Sequence, residues 1–209
     1  PYVCSAGVAW YRSDLLPRAS DNDCLTRITQ AARQSSVAVH ARMLNLYAMG
    51  IPDPFRRQLA KEGRLMVSSD GKITNWLCPV NPKNRQLQAR LATEILTRYP
   101  VSGLQFDYFR YPGEKYCFCP TCRQSFQKLI GRKLPNMAAS VRREPLRSQF
   151  LEWRRRQITS LVAEVVTAAR KAAPNAAISA AVFLNWEKHR DWIAQDWKTW
   201  VDQGLLDFV

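Results

Sequence analysis

The sequence predicts an α/β protein, a partial TIM or (β/α)8 barrel in which parallel strands alternate with helices. Three observations carry that expectation. Segments of strand period alternate with segments of helical period along the whole chain. Two of the strand segments carry polar residues on one face and apolar residues on the other. Long loops follow strands, and no Gly-rich phosphate loop follows any of them, which speaks against an open dinucleotide-binding sheet.

The elements follow in order. Pro1-Tyr2-Val3 reads as the tail of a strand, followed by a loop with Gly7, Tyr11, Ser13 and Pro17. A helix is expected after Asp21 or Asn22 as N-cap, running through Leu25, Ile28 and Ala32. Val37 to Leu46 is the next strand, with Val39, Ala41 and Met43 on one face and His40 and Arg42 on the other. From Met49 to Pro82 the chain is rich in Gly, Pro, Asp and Asn and reads as a long loop, a kind that is often functional. A helix from about Lys83 to Tyr99 carries Leu87, Leu91, Ile95 and Leu96 as its apolar stripe.

Gly103 to Tyr108 is the central strand. Leu104, Phe106 and Tyr108 are expected on the helix side, and Gln105 and Asp107 on the opposite side. A second long excursion runs from Pro112 to Pro145, holding a cysteine cluster and a short helix with Phe126, Leu129 and Ile130. Leu146 to Ala172 is a long amphipathic helix with Ile158, Leu161, Val162, Val165, Val166 and Ala169 at helical spacing. Ala176 to Leu184 reads as a strand and Asp191 to Gln203 as a helix, with Trp197, Trp200 and Val201 on one side. Gly204 stops that helix, and a last strand begins at Leu205.

The 209 residues, 46% of them hydrophobic, suffice for one domain with a sizeable core. Residues 1–209 read as an incomplete barrel domain with an inserted cysteine-rich loop at 112–145. The chain begins at Pro1 and ends on the apolar run Leu205-Leu206-Asp207-Phe208-Val209, so it reads as an excerpt of a longer chain. No run of about 18 apolar residues is present to span a membrane. The net charge of +14 favours polyanions. Its basic residues are spread over Arg56-Arg57, Arg142-Arg143 and Arg154-Arg155-Arg156, as on solvated helix faces, rather than gathered into a nucleic-acid surface.

Asp107 is the leading candidate for chemistry, because a carboxylate at a strand's carboxyl end stands where barrel enzymes keep their active sites. The alternative is a loop cap or a pair with Arg110. His40 and Arg42 share the inward face, where they would bind substrate hydroxyls or form a buried ion pair. Trp76, Tyr108, Tyr111 and Trp186 lie in loops after strands, suited to stacking on sugar faces or to packing in the core. Asn81 precedes a helix it would cap.

In the cluster Cys117-Phe118-Cys119-Pro120-Thr121-Cys122, Cys-Pro-x-Cys is half of a zinc knuckle, because two thiolates at that spacing grip one tetrahedral ion. Cys78, at the end of the preceding long loop, is the candidate fourth ligand. Disulfides are the rival, and the six cysteines leave the pairing open. Either bonded form would be structural, pinning the long loop.

Five segments together carry a family resemblance. They are Tyr11-Arg12-Ser13-Asp14-Leu15-Leu16-Pro17, Val39-His40-Ala41, Trp76-Leu77-Cys78-Pro79-Val80-Asn81-Pro82, Gly103 to Pro112, and Gln195-Asp196-Trp197. In this order the chain resembles the glycosyl hydrolase-like 10 group, which includes bacterial surface lipoproteins and a divisome-associated peptidoglycan glycosidase. The Asp107 strand is also similar to the nucleophile-bearing strand of α-amylase-type barrels, with Gln105 in place of their arginine.

The resemblance implies a (β/α)8 glycosidase acting on a polysaccharide such as a bacterial cell-wall glycan, outside the cytoplasm. Catalysis would need no cofactor, with zinc at most structural. Glycosidic hydrolysis takes two carboxyl groups, about 5 to 5.5 Å apart for retention and about 6.5 to 9.5 Å for inversion. Asp107 is the nucleophile or charge stabiliser, and its partner is either Glu187, on the loop after the Ala176 strand, or an acid in strands the excerpt does not contain. Tyr11, His40, Arg42, Trp76, Asn81, Gln105, Tyr108, Arg110, Tyr111 and Trp186 are the candidate substrate contacts. Two other readings stand beside this one: a barrel that binds glycan without cutting it, and a zinc-containing protein associated with nucleic acid.

Overall fold

A computed structural model describes all residues from Pro1 to Val209. Four parallel strands form one sheet in the order β1 (Tyr2–Ser5), β2 (His40–Leu44), β5 (Gly103–Asp107) and β6 (Ala177–Ala180). Each new strand joins the same edge, so the order never reverses as it does at the switch point of a doubly wound sheet. This is the running order of consecutive strands in a (β/α)8 barrel.

Three helices make the crossovers: α1 (Cys24–Gln34) between β1 and β2, α3 (Pro82–Arg98) before β5, and α6 (Leu146–Ala172) between β5 and β6. Period-two alternation sends Ala41, Met43, Leu104, Phe106, Ile178 and Ala180 to the helix side, where all are buried. They join one core with Leu91 and Ile95 of α3 and Ile158, Leu161, Val162 and Val165 of α6. Burying a side chain such as Met43 or Phe106 contributes about 1.5 to 3 kcal/mol. The first helix is capped by Asp23, whose carboxylate accepts from the Thr26 amide at 3.0 Å, one to two residues after the positions expected from sequence.

The stretch from 49 to 82 is not one loop. It holds helix α2 (Asp53–Lys61) and an antiparallel hairpin of β3 (Leu65–Val67) with β4 (Ile73–Leu77). The prolines that suggested a loop flank the helix start: Pro52 is the cap and Pro54 sits in the first turn, where a missing N–H costs nothing. The 112–145 excursion contains α4 (Pro120–Leu129) and the short α5 (Met137–Ser140).

Three further expectations are corrected. The strand at 176–184 ends at Ala180, and Asn185 caps α7 (Trp186–Trp192) by accepting from the Lys188 amide at 3.0 Å. What was read as one helix over 191–203 is the end of α7, a break, and α8 (Trp197–Asp202), where Trp200 is buried but Val201 is exposed. No strand follows Gly204; a single parallel bridge joins Ser179 to Phe208, in the direction a next strand would take. No helix is long and apolar enough to cross a membrane.

Candidate active site at the carboxyl ends of the strands

β2 and β5 run side by side with Arg42 opposite Gln105 and Leu44 opposite Asp107. That register puts Arg42, Gln105 and Asp107 on the face turned away from the helices. Arg42 reaches along this face to Asp107, its Nη2 and Nε donating to Oδ2 at 2.6 and 3.2 Å. The other side of the guanidinium lies 4.4 Å from the centre of the Tyr2 ring. Asp107 Oδ1 accepts from the Tyr108 amide at 2.8 Å, and the Asp107 amide donates to Asn45 Oδ1 at 3.2 Å. Asn45 in turn donates to Gln88 Oε1 on α3 at 3.0 Å. The carboxylate is thus fixed by a strand neighbour and its own loop, and the backbone that carries it by an amide chain anchored in a helix. Gln105 makes no side-chain hydrogen bond and stays half-buried on the same face.

Tyr108 leaves the extended conformation at φ 59°. A bulky residue in the left-handed region costs on the order of 1 to 3 kcal/mol. The twist takes its ring off the helix side, where strand alternation had placed it, and lays it on Tyr47 with centroids 5.3 Å apart. Trp76 completes the group, 5.2 Å from Tyr47 and 5.4 Å from Tyr108. Its position follows from the backbone: Leu77 donates to Leu46 and Ala48 to Asn75, so the hairpin edge is zipped to the chain leaving β2. Arg110 lies over Tyr108 at 4.6 Å and within 5.2 Å of both Trp76 and Phe183. Burial lowers the Arg110 pKa, opposed by the charges of Tyr108 and Asp107. The result is a half-buried aromatic platform with one guanidinium, directly after the Asp107 strand.

Sequence reasoning found Trp76, Tyr108 and Arg110 of this platform but missed Tyr47 and Phe183. Both follow strands, β2 and β6, which is the same signal that singled out Tyr108. Asn45 and Gln88 were also missed, since only the fold brings them together.

The remaining candidates lie elsewhere. His40 shares the inner face but opens β2, about 13 Å below the strand end at 3.3 Å per residue. There its ring packs near Phe208 and closes on Gly103, where any Cβ would come within 2.9 Å of the imidazole. Tyr11 is buried behind the sheet and donates to Glu94 Oε2 at 2.7 Å; burial and nearby anionic groups push its pKa far up. Asn81 is buried and caps α3, accepting from the Lys83 amide at 3.0 Å. Tyr111 is fully buried under the Arg154 guanidinium, 4.4 Å away, and offers no face to a sugar.

Trp186 donates to Asp196 Oδ1 at 2.8 Å and is flanked by Arg190 and Lys198. Glu187 is exposed in the first turn of α7 and makes no hydrogen bond or ion pair. Gln195 clamps the chain after β6, accepting from the Phe183 amide at 2.9 Å and donating to the Ala181 carbonyl at 3.2 Å. A groove of about 590 Å³ is lined by Glu114, Phe118, Arg142 and Phe150 among others, and none of the Asp107 group borders it.

Cys78, Cys117, Cys119 and Cys122 are all buried, with their four sulfur atoms within 4.8 Å of one another. They join the end of the hairpin to the start of α4, and are the residues of this chain arranged to hold a metal. Cys4 is buried apart from them and Cys24 is exposed.

The profile of the family described as glycosyl hydrolase-like 10 matches residues 6–209. No protein of curated function matches the chain. Among solved structures, the glycoside hydrolase domain of PgaB (BpsB) from Bordetella bronchiseptica is similar with a TM-score of 0.71 at 15% identity, over 89% of this chain and 54% of that one. α-L-Fucosidase isoenzyme 2 from Paenibacillus thiaminolyticus gives 0.63 at 17% identity, over 86% of this chain and 26% of that one. A β-galactosidase from Rahnella sp. R3 gives 0.58 at 17%, over 87% and 30%. The chain therefore spans about half or less of the length of these glycosidases, and shares with them the barrel fold.

Proposed function

We propose a glycosidase function from one premise: the chain belongs to the glycosyl hydrolase-like 10 family. The protein hydrolyses O-glycosyl bonds of a polysaccharide, a bacterial cell-wall glycan being the substrate class that suits an enzyme working outside the cytoplasm. The observation that carries this is the placement of Asp107. It is a nearly buried carboxylate at the carboxyl end of an inner strand, directly beside a half-exposed platform of three aromatic rings.

Sugar rings stack on Trp76, Tyr108 and Tyr47 through their apolar C–H faces. Arg110 and Gln105 offer donors to hydroxyl groups. Asp107 then meets the anomeric carbon as nucleophile or as the charge that stabilises an oxocarbenium-like transition state. Its ion pair with Arg42 and the Tyr108 amide hold it in one orientation, so little reorganisation is needed as positive charge develops. Glu187 is the candidate proton donor of this chain. It follows β6, the strand beside β5, at the same end of the sheet, and its carboxyl group is free to turn toward a leaving oxygen.

The test is release of reducing ends from peptidoglycan strands and other polysaccharides by the full-length protein, its Asp107→Asn and its Glu187→Gln variants. Hydrolysis by the wild type and its loss in Asp107→Asn are expected; an Asp107→Asn protein as active as the wild type overturns the mechanism. A second reading, a barrel that holds glycan without cutting it, draws on the Arg42 ion pair that occupies Asp107 and on the lack of a hydrogen bond or ion pair at Glu187. Glycan binding by the wild type with no release of reducing ends would select it.

A further inference from the structure

We propose that Cys78, Cys117, Cys119 and Cys122 bind one tetrahedral divalent metal ion, zinc by preference, as a tetrathiolate whose negative charge is offset in part by the buried guanidinium of Arg154. Four sulfurs each about 2.3 Å from a central zinc stand about 3.8 Å from one another. Here Cys78 Sγ lies 3.4 Å from Cys122 Sγ and 3.5 Å from Cys119 Sγ, and no pair exceeds 4.8 Å. A disulfide brings two sulfurs to about 2.05 Å. None of the four is joined in a disulfide, and all four sulfurs lie within 4.8 Å of one another.

The surroundings suit thiolates. Cys119 caps α4, a ten-residue helix whose N-terminal dipole favours negative charge. Cys119 Sγ accepts from the Cys122 amide at 3.5 Å and Cys117 Sγ from the Val67 amide at 3.4 Å. Backbone donors of this kind orient metal ligands.

Arg154 is the independent observation. It is wholly buried, and its guanidinium donates to the carbonyls of Gly113, Asp191 and Trp192, with no carboxylate in ion-pair contact. A cation so placed costs several kcal/mol unless anions lie close. Those near it are Glu114, itself joined to Arg147 near the surface, and the cysteines 117 and 122. The Tyr111 ring lies 4.4 Å from the same guanidinium, and its buried hydroxyl has no protein partner. A tetrathiolate around a divalent ion carries two negative charges, and adds to the counter-charge that Glu114 alone offers Arg154.

Binding releases the thiol protons to solvent, forms four metal–sulfur bonds and involves no redox change. It staples the β3–β4 hairpin, which carries Trp76, to the head of the 112–145 excursion.

The experiment measures metal and thiols on the full-length protein, purified without chelator and reconstituted with zinc or cobalt(II). One metal per chain, visible bands of a tetrahedral cobalt tetrathiolate, and alkylation of Cys24 alone until a strong chelator is added are expected. Arg154→Met should weaken metal affinity about 10-fold to 100-fold, and Arg154→Lys much less. Metal-free protein after reconstitution, or a denatured mass showing the four cysteines joined as disulfides, overturns the site. Unchanged affinity in Arg154→Met overturns the role of Arg154. Because wild-type metal content is read directly, a Cys122→Ser chain that fails to fold leaves the test intact, and none of these readouts depends on glycan hydrolysis.

Discussion

Glu94 and Asp107 are both 8% exposed, yet they sit in opposite kinds of place. Glu94 lies on the outer helix α3 and is held mainly by the loop after β1: Tyr11 and Ser13 hydroxyls donate to Oε2 at 2.7 Å each, the Asp14 amide to Oε1 at 2.8 Å, and Arg98 of the same helix pairs with Oε1 at 3.4 Å. All its partners are scaffold. Asp107 lies at a strand end, held by Arg42 and the Tyr108 amide, beside rings that make a platform. Burial of a carboxylate therefore does not mark chemistry by itself. What separates the two is the company each keeps: scaffold donors around Glu94, and a strand end with half-buried aromatic rings around Asp107.

The comparison breaks or sharpens through substitution. Asp107→Asn should lower kcat by about 1,000-fold or more, about 4 kcal/mol of transition-state stabilisation, with little change in Tm. Steady-state kinetics beside a thermal melt checks both halves. Glu94→Ala should do the reverse. Losing three hydrogen bonds, one of them from the buried Tyr11 hydroxyl, costs about 2 to 4 kcal/mol, roughly a 5 to 15 °C fall in Tm, with kcat per folded molecule kept. A normal melt would show that Glu94 is not the scaffold group described here.

Trp76→Ala should weaken glycan binding about 10-fold, read by calorimetry on an inactive background, because it removes one stacking face and not the carboxylate. The smallest effect is alkaline. Burial and the hydrogen bond to Asp23 push the Tyr99 hydroxyl up to about 12. An unfolded chain releases this proton near pH 10 and the folded one keeps it, so this contribution is whole below pH 10 and is lost as pH rises toward 12. Tyr11, raised in the same direction, adds to the fall. A Tyr99→Phe chain should lose stability less steeply between pH 10 and 12.

How much of this was legible depended on which physical signal each residue gave. The long helix α6 was readable to its ends because Ile158, Leu161, Val162, Val165, Val166 and Ala169 repeat at helical spacing and Pro174 follows. Strand faces were readable from alternation, which put Arg42, Gln105 and Asp107 together. Periodicity gives a face but not a height, so His40 joined the same set although it stands at the far end of β2.

Loop aromatics were the hardest. Tyr11, Tyr111, Tyr108 and Trp76 share similar local context, and only the tertiary fold buries the first two and leaves the other two half-buried on the platform. The left-handed Tyr108 has no sequence signature, since the residue is neither Gly nor Asn. The 49–82 stretch hid a helix and a hairpin because prolines at a helix start resemble those of a loop.

The most direct test of the central claim is a crystal structure of the Asp107→Asn protein with an oligosaccharide of a glycan the wild type cleaves. The account predicts a sugar ring stacked on Trp76 and Tyr108, with an anomeric carbon about 3 to 3.5 Å from the residue 107 side chain. An oligosaccharide seated elsewhere, or stacked on the platform with no anomeric carbon near residue 107, would contradict it.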